Sequence, residues 1–202
     1  ESEKVIQSGK ILALVGGDHS VPFGALQALA AKEKNFGILH IDAHSDTRKA
    51  YEGFEFSHAS ILRNVMEKIP EAKKLVQVGI RDFCEEEWEF IQKSKGKIRA
   101  FFDLDLQKRK SEGEPWKEIA VKIVGHLPER VWVTFDIDGL DPRFCPNTGT
   151  PVPGGLDYSE ALILIGELAR SGRTILGFDL NEVSPAKNDE WDANVEIGRA
   201  HV

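Results

Sequence analysis

Phe36-Gly37-Ile38-Leu39-His40-Ile41-Asp42-Ala43-His44-Ser45-Asp46 passes from a nearly continuous apolar run straight into acids and imidazoles. A run with little alternation fits a parallel strand covered on both faces, whereas a half-exposed strand would alternate. Five further runs read the same way: Ile11–Val15, Leu75–Ile80, Ile98–Phe102, Val131–Asp136 and Thr174–Leu180. Helical patterns separate them. Leu62, Val65, Met66 and Ile69 fall at i, i+3, i+4 and i+7, as do Trp116, Ile119, Ala120 and Ile123, and again Ala161, Leu164, Ile165 and Leu168. Each set makes one apolar helix stripe. Asp157 and Glu160 precede the last stripe as a capping box. Val21–Lys34 and Glu85–Ser94 are expected helices as well. Strand alternating with helix implies βαβ units, and so an α/β fold: a three-layer αβα arrangement around a mostly parallel central sheet.

Composition agrees with one compact unit. The chain has 202 residues, 41% hydrophobic and 29% charged, with neither an internal repeat nor a low-complexity stretch. Its 26 basic and 33 acidic residues leave a net charge of −7. Phosphate-backbone binders need a basic patch, so a nucleic-acid partner is not expected, and a small cationic partner suits the charge better. No apolar run approaches the roughly 18 residues of a membrane span, so a soluble chain without a membrane partner is expected. Cys84 and Cys145 are too few for a disulfide framework and lie in no metal-binding spacing. They read as free structural thiols in a reducing compartment. The one segment rich in Pro and Gly, Gly149 to Gly155, reads as a loop leaving a strand. The last six residues, Ile197-Gly198-Arg199-Ala200-His201-Val202, resemble a translated sequencing adapter. They are expected to be a non-native tail on a single domain over residues 1–196, and His201 is left out of the site.

Open parallel sheets bind ligands outside the carboxyl ends of their strands, so the strand exits are the place to look. They read Gly16-Gly17-Asp18-His19-Ser20, Asp42-Ala43-His44-Ser45-Asp46, Phe135-Asp136-Ile137-Asp138-Gly139 and Asp179-Leu180-Asn181-Glu182. Carboxylates crowded on one rim repel and raise each other's pKa unless positive charge sits among them. Metal ions supply that charge. Asp42, His44 and Asp46 alternate, so an extended segment would point all three to one side, and Asp136 and Asp138 repeat the arrangement. A lone histidine after a Gly-Gly turn, such as His19, is more often a loop residue than a ligand. Three such segments at three strand ends reverse that weighting. His40 reads as core or as support behind the ligands, and His126 as a surface residue near a helix end.

Together these segments closely resemble the signatures of the arginase–agmatinase (ureohydrolase) family: Gly-Gly-Asp-His-Ser from Gly16, Asp-Ala-His-Ser-Asp from Asp42, Phe-Asp-Ile-Asp-Gly-Leu-Asp-Pro from Phe135 and Asp-Leu-Asn-Glu-Val-Ser-Pro from Asp179. The resemblance covers nearly the whole chain and implies an arginase/deacetylase-like fold. Members of the family are longer at both ends, so truncation at both ends is expected. By the same resemblance, two Mn²⁺ ions are held, one by His19, Asp42, Asp46 and Asp136 and the other by Asp42, His44, Asp136 and Asp138, with Asp42 and Asp136 bridging. The donor set also suits other divalent metals. The implied reaction is hydrolysis of a guanidino or amidino C–N bond by metal-bound hydroxide. Asp46 holds the nucleophile's proton, Glu182 pairs with the substrate guanidinium and His58 carries a proton to the leaving amine.

The substrate side of the resemblance points to agmatinases, which turn agmatine into putrescine and urea in polyamine metabolism. Arg48 stands where arginases carry Asn, and Arg48 to His58 looks like the Tyr-Glu-Gly…Ser-His-Ala segment of many agmatinases. Asp82 falls in a segment that contacts the substrate α-amine in arginases, while Cys84 replaces a second acid there. Arg48 and Lys49 could instead meet a substrate carboxylate, which would favour guanidinobutyrase or formiminoglutamase activity. Arginase activity, a non-catalytic metal-binding relative and a single-zinc deacetylase also stay open at this point. The resemblance further implies a cytoplasmic homo-oligomer.

Overall fold

The computed structural model describes residues 1–184, so the expected tail at 197–202 lies outside the described residues. Six strands form one sheet: β1 (Leu12–Val15), β2 (Phe36–Ile41), β3 (Ala72–Ile80), β4 (Ile98–Phe102), β5 (Arg130–Asp136) and β6 (Thr174–Asn181). Their order is β1-β6-β5-β2-β3-β4 and every pairing is parallel. All six expected strands are present: β4 keeps both expected ends, and no end of the others moves by more than three residues. The largest shift is in β3, whose first residues, Ala72 to Lys74, pair with the entry end of β2 despite two lysines.

Seven helices accompany the strands among the described residues: α1 (Ser2–Gln7), α2 (Pro22–Lys32), α3 (Ile61–Lys68), α4 (Glu85–Lys93), α5 (Asp103–Ser111), α6 (Trp116–Gly125) and α7 (Tyr158–Arg170). Helices α1 to α4 pack through Ile6, Leu26, Leu62 and Ile91 on one face, with Ile38, Leu75 and Trp132 of the sheet. On the other face, Leu106, Ile119, Ile123 and Leu164 of α5 to α7 meet Leu39, Val76 and Val133. This is the three-layer arrangement expected. The capping box also forms: Asp157 accepts from the Ser159 amide, and Glu160 accepts from the Asp157 amide at 3.0 Å. None of the described helices is long and apolar enough to cross a membrane.

Helices α1 and α5 escaped the apolar-stripe reading. In α5, Leu104 and Leu106 stand two apart, a strand-like spacing. Charges on Asp103, Asp105, Lys108, Arg109 and Lys110 complement the helix dipole instead. One leucine does the packing: Leu106 is 1% exposed and Leu104 81%.

Chain order gives the sheet a divergence point. From β2 the chain winds outward through β3 and β4, then β5 returns to the other edge of β2 and β6 continues away from it. Such a reversal opens a crevice at the strand exits, here between Asp42 and Asp136.

Leu106→Ala is expected to lower stability by about 2–5 kcal/mol, as buried leucine truncations do, while Leu104→Ala stays within about 0.5 kcal/mol. Urea denaturation of both variants checks this, and equal losses would contradict the assigned face of α5.

Candidate metal centre

Backbone turns at the strand exits build the site. Asp42 follows β2 immediately, and its Oδ1 accepts the His44 amide at 2.6 Å. Asp136, the last residue of β5, accepts the Asp138 amide at 3.0 Å in the same manner. The extended geometry expected for Asp42 to Asp46 is therefore corrected: each leading carboxylate curls the chain back, and Asp46 sits in the left-handed region at φ 54°. That conformation carries strain of about 1–3 kcal/mol. The start of α3 holds it, since the amides of Leu62 and Arg63 donate to the Asp46 carbonyl at 3.0 and 3.3 Å. Two glycines let the backbone close around Asp42. A Cβ on Gly139 would lie 2.7 Å from the Asp42 nitrogen, and one on Gly79, at φ +92°, 3.1 Å from its carbonyl oxygen.

His19 enters from the β1 exit, fully enclosed. Its Nδ1 lies 3.0 Å from Asp42 Oδ2, 3.0 Å from Asp46 Oδ2 and 3.4 Å from Asp136 Oδ2. His44 Nδ1 lies 3.1 Å from Asp138 Oδ2 and 3.4 Å from Asp42 Oδ1. His40 Nε2 meets Asp42 Oδ2 at 2.7 Å, so the histidine read as core or support touches the central carboxylate. Two groups of donor atoms result, each within 4.8 Å: His19, His40, Asp42 and Asp46, and Asp42, His44 and Asp138. Asp42 belongs to both, and Asp136 stands beside the first.

Electrostatics follow from four acids sharing one buried space. Burial, then the neighbouring Asp42, pushes Asp46 up to about 7 and raises Asp138. Burial with Asp42 and Asp138 raises Asp136 well above its ordinary range. For Asp42, burial is outweighed by His40, His19 and His44, which hold it well below that range. Burial also opposes the His44 cation, but contact with Asp138 and Asp42 lifts it to about 11. Oxygen and imidazole donors crowded at this density, with repulsion among the acids, fit a hard or borderline divalent cation.

Above the cluster lies a cavity of about 130 Å³. Asp46, His58, Glu182, Arg48 and Asp82, all singled out in the sequence, line it together. His58 opens a 3₁₀ turn, His58–Ser60, with its ring edge-on to Tyr51 at 5.4 Å. Glu182, at φ 61°, accepts the His19 amide at 3.0 Å, and its carbonyl accepts from Thr148 Oγ1. Burial raises its pKa against the pull of His19 and His58. Asp82 is exposed, 3.8 Å from His44 Nε2. Cys84 caps α4, and Cys145 is buried with Sγ 3.3 Å from the Ile137 carbonyl.

Three lining residues with polar side chains were not singled out from the sequence. Thr150 donates to Asp138 Oδ2 at 3.3 Å from the segment read as a loop. Tyr51 lies between Arg48 and His58 in the sequence, and its ring contacts both. Glu87 is buried, accepts the amides of Thr47 and Cys84 at 2.9 and 3.0 Å, and lies 3.7 Å from Arg48 Nε. Its capping-box spacing behind Cys84 was the available signal.

A carboxylate-rich donor cluster at the divergence point of a parallel sheet defines an α/β protein with a candidate metal site. The Arginase family model matches residues 1–198, and the chain belongs to the arginase family. It is 36% identical to the agmatinase of Bacillus subtilis over 193 residues, which are 95% of this chain and 62% of that one. It is also 36% identical to an N(1)-aminopropylagmatine ureohydrolase of Thermus thermophilus, covering 92% of this chain and 59% of the relative. A crystal structure of a hypothetical agmatinase from Burkholderia thailandensis superposes with a TM-score of 0.80 at 29% identity, over 96% of this chain and 58% of that one. The chain thus spans about three-fifths of the length of these relatives, whose names are those of ureohydrolases.

Gly139→Ala is expected to push Asp42 away from Asp138 and to destabilise the chain by about 1–3 kcal/mol, the usual effect of overpacking. A denaturation midpoint equal to the parent's would show that the clasp around Asp42 yields freely.

Proposed function

We propose that this chain is the catalytic portion of a ureohydrolase that hydrolyses a small cationic guanidino compound, agmatine first, to the amine and urea. One observation carries the reading: the acid–imidazole cluster floors a cavity whose walls hold both Glu182 and His58. A guanidinium stays protonated beyond about pH 12 and resists attack by water, so the reaction needs both an activated nucleophile and a counter-charge.

In this reading His19, Asp42, Asp46 and Asp136 would hold one Mn²⁺, and Asp42, His44, Asp136 and Asp138 the other. The bound ions would activate a water molecule and offset charge developing during attack. Glu182 pairs with the planar guanidinium, Asp46 holds the nucleophile's proton, and His58, an imidazole at the cavity wall, passes a proton to the leaving amine. Asp82, exposed at the rim, suits a cationic tail. Arg48 lies near Glu87 and 5.4 Å from the Tyr51 ring, already next to an acid. The catalytic unit in this proposal is residues 1–196. Urea release from agmatine, arginine and guanidinobutyrate, and formamide release from formiminoglutamate, with added Mn²⁺, tests the substrate. Preference for a guanidino acid would assign Arg48 to the substrate carboxylate instead.

Metal analysis is expected to find two divalent ions per chain, with activity lost on chelation; full activity with one tightly bound ion would overturn the paired centre. Because Asp136 would touch both ions, Asp136→Asn is expected to reduce activity more than Asp138→Asn, and equal rates at equal metal content would contradict its bridging place.

His58→Ala is expected to retain both ions and lower kcat by roughly 10²–10⁴, the range for general acid–base help. Glu182→Gln removes the guanidinium's counter-charge and is expected to raise KM as well. Loss of metal from His58→Ala would make that residue a ligand or a support rather than a proton carrier.

A further inference from the structure

One layer beneath the carboxylate rim, four adjacent strands place a polar side chain at the same register. Gln77 of β3 pairs with His40 of β2, His40 with Thr134 of β5, and Thr134 with Asp179 of β6. All four are buried. Polar groups at the centre of a sheet are unfavourable unless each finds a hydrogen-bond partner, and here the partners lead to the candidate ligands.

The direction of each bond can be assigned from donor and acceptor chemistry. Asp179 Oδ2 accepts from Trp132 Nε1 at 2.5 Å, and its Oδ1 accepts from Thr134 Oγ1 and Asn181 Nδ2, each at 2.6 Å. The single Thr134 hydroxyl proton is thereby directed at Asp179. Thr134 Oγ1 is left to accept from His19 Nε2, 2.7 Å away. His19 therefore carries a proton on Nε2, and its Nδ1 faces Asp42, Asp46 and Asp136. A second chain starts at the Ser45 carbonyl, which accepts from Gln77 Nε2 at 2.7 Å and so sets that amide's orientation. The other Gln77 N–H donates to His40 Nδ1 at 3.1 Å. The His40 proton then sits on Nε2 and is donated to Asp42 Oδ2 at 2.7 Å.

We propose that the row Gln77, His40, Thr134 and Asp179 is a positioning floor that fixes His19 as an Nδ1 ligand and orients the shared Asp42 carboxylate for cation binding. The proposal rests on the metal-binding reading above. None of the four lines the cavity, so they act through His19 and Asp42 rather than on substrate. Partners of this kind set the tautomer and ring orientation of a ligating histidine.

Three variants test it, with Mn²⁺ affinity read by calorimetric titration of the metal-free chain and Tm read with and without Mn²⁺. Thr134→Val replaces the hydroxyl by a methyl in a residue type that suits a central strand. Thr134→Ser keeps the hydroxyl, and Gln77→Met removes the second chain's amide. Thr134→Val and Gln77→Met are expected to weaken Mn²⁺ binding by about 10–100-fold, and to lose part of the Tm gain that Mn²⁺ gives the parent. Thr134→Ser is expected to bind as the parent does. Parental affinity in Thr134→Val or Gln77→Met would overturn the floor's role, as would a loss in Thr134→Ser equal to that in Thr134→Val, which would reduce Thr134 to packing. Absence of Mn²⁺ binding in the parent itself would instead overturn the metal reading on which the proposal stands.

Discussion

Four carboxylates within one buried space repel one another, and the Asp42 side chain, touching both donor groups, is where that repulsion concentrates. The fold answers by surrounding it. His19, His40 and His44 approach its two oxygens, the His44 amide pins Oδ1, and the backbone is clasped between Gly79 and Gly139. Apolar residues at those positions would be easier to bury, since charged groups in a low-dielectric interior cost several kcal/mol each even after relaxation. A cation bound among them would convert the repulsion to attraction, and binding to the folded state alone would add to stability in proportion to the logarithm of ligand concentration. The same residues would then serve the proposed function and, once loaded, the fold.

Topology is what allows such crowding. Asp42 and Asp136 lie at the ends of adjacent strands, yet the chain between them builds β3, β4 and four helices before returning. Diverging crossovers leave the β2 and β5 exits uncovered, and the β1 and β6 exits deliver His19 and Glu182 to the same rim. Rigid pairing fixes the spacing of these ends. Short turns then aim the side chains, and the parallel use of Asp42 and Asp136 as acceptors for the amide two residues on shows one local device used twice.

Much of this was legible in the residues. Apolar runs of five to seven located all six strands, and three-and-four spacing located α3, α6 and α7, because burial on a sheet or helix face leaves a periodic trace. Helix α5 left none, since Leu106 is its one buried apolar residue and charge placement carries the rest. At the site, the residue types were legible but the backbone was not: alternation of Asp42, His44 and Asp46 suggests a pleat, whereas side chain–backbone bonds bend the chain into a turn. The partners of His40 and His19 were equally hidden. Gln77, Thr134 and Asp179 are far apart in sequence, and nothing local marks three polar residues in apolar runs as neighbours.

Floor and walls differ in how they are built, and this explains why chemistry is easier to read than substrate. The carboxylates Asp42, Asp46, Asp136 and Asp138 sit at a strand end or in the turn after one, and the row beneath them lies within the strands, where a shift of one residue would turn every side chain to the other face. The walls come mostly from the loop of residues 48–58, with Asp82, Thr150 and Glu182 from the segments after strands, which have no such register to keep. Loops on a rigid scaffold accept change and carry specificity. Relatives named for agmatine and for N(1)-aminopropylagmatine match this chain equally, at 36% identity. Whole-chain identity therefore weighs the floor and the core, whereas in the proposed reading discrimination between tails would fall to a handful of wall residues such as Arg48, Tyr51 and Asp82.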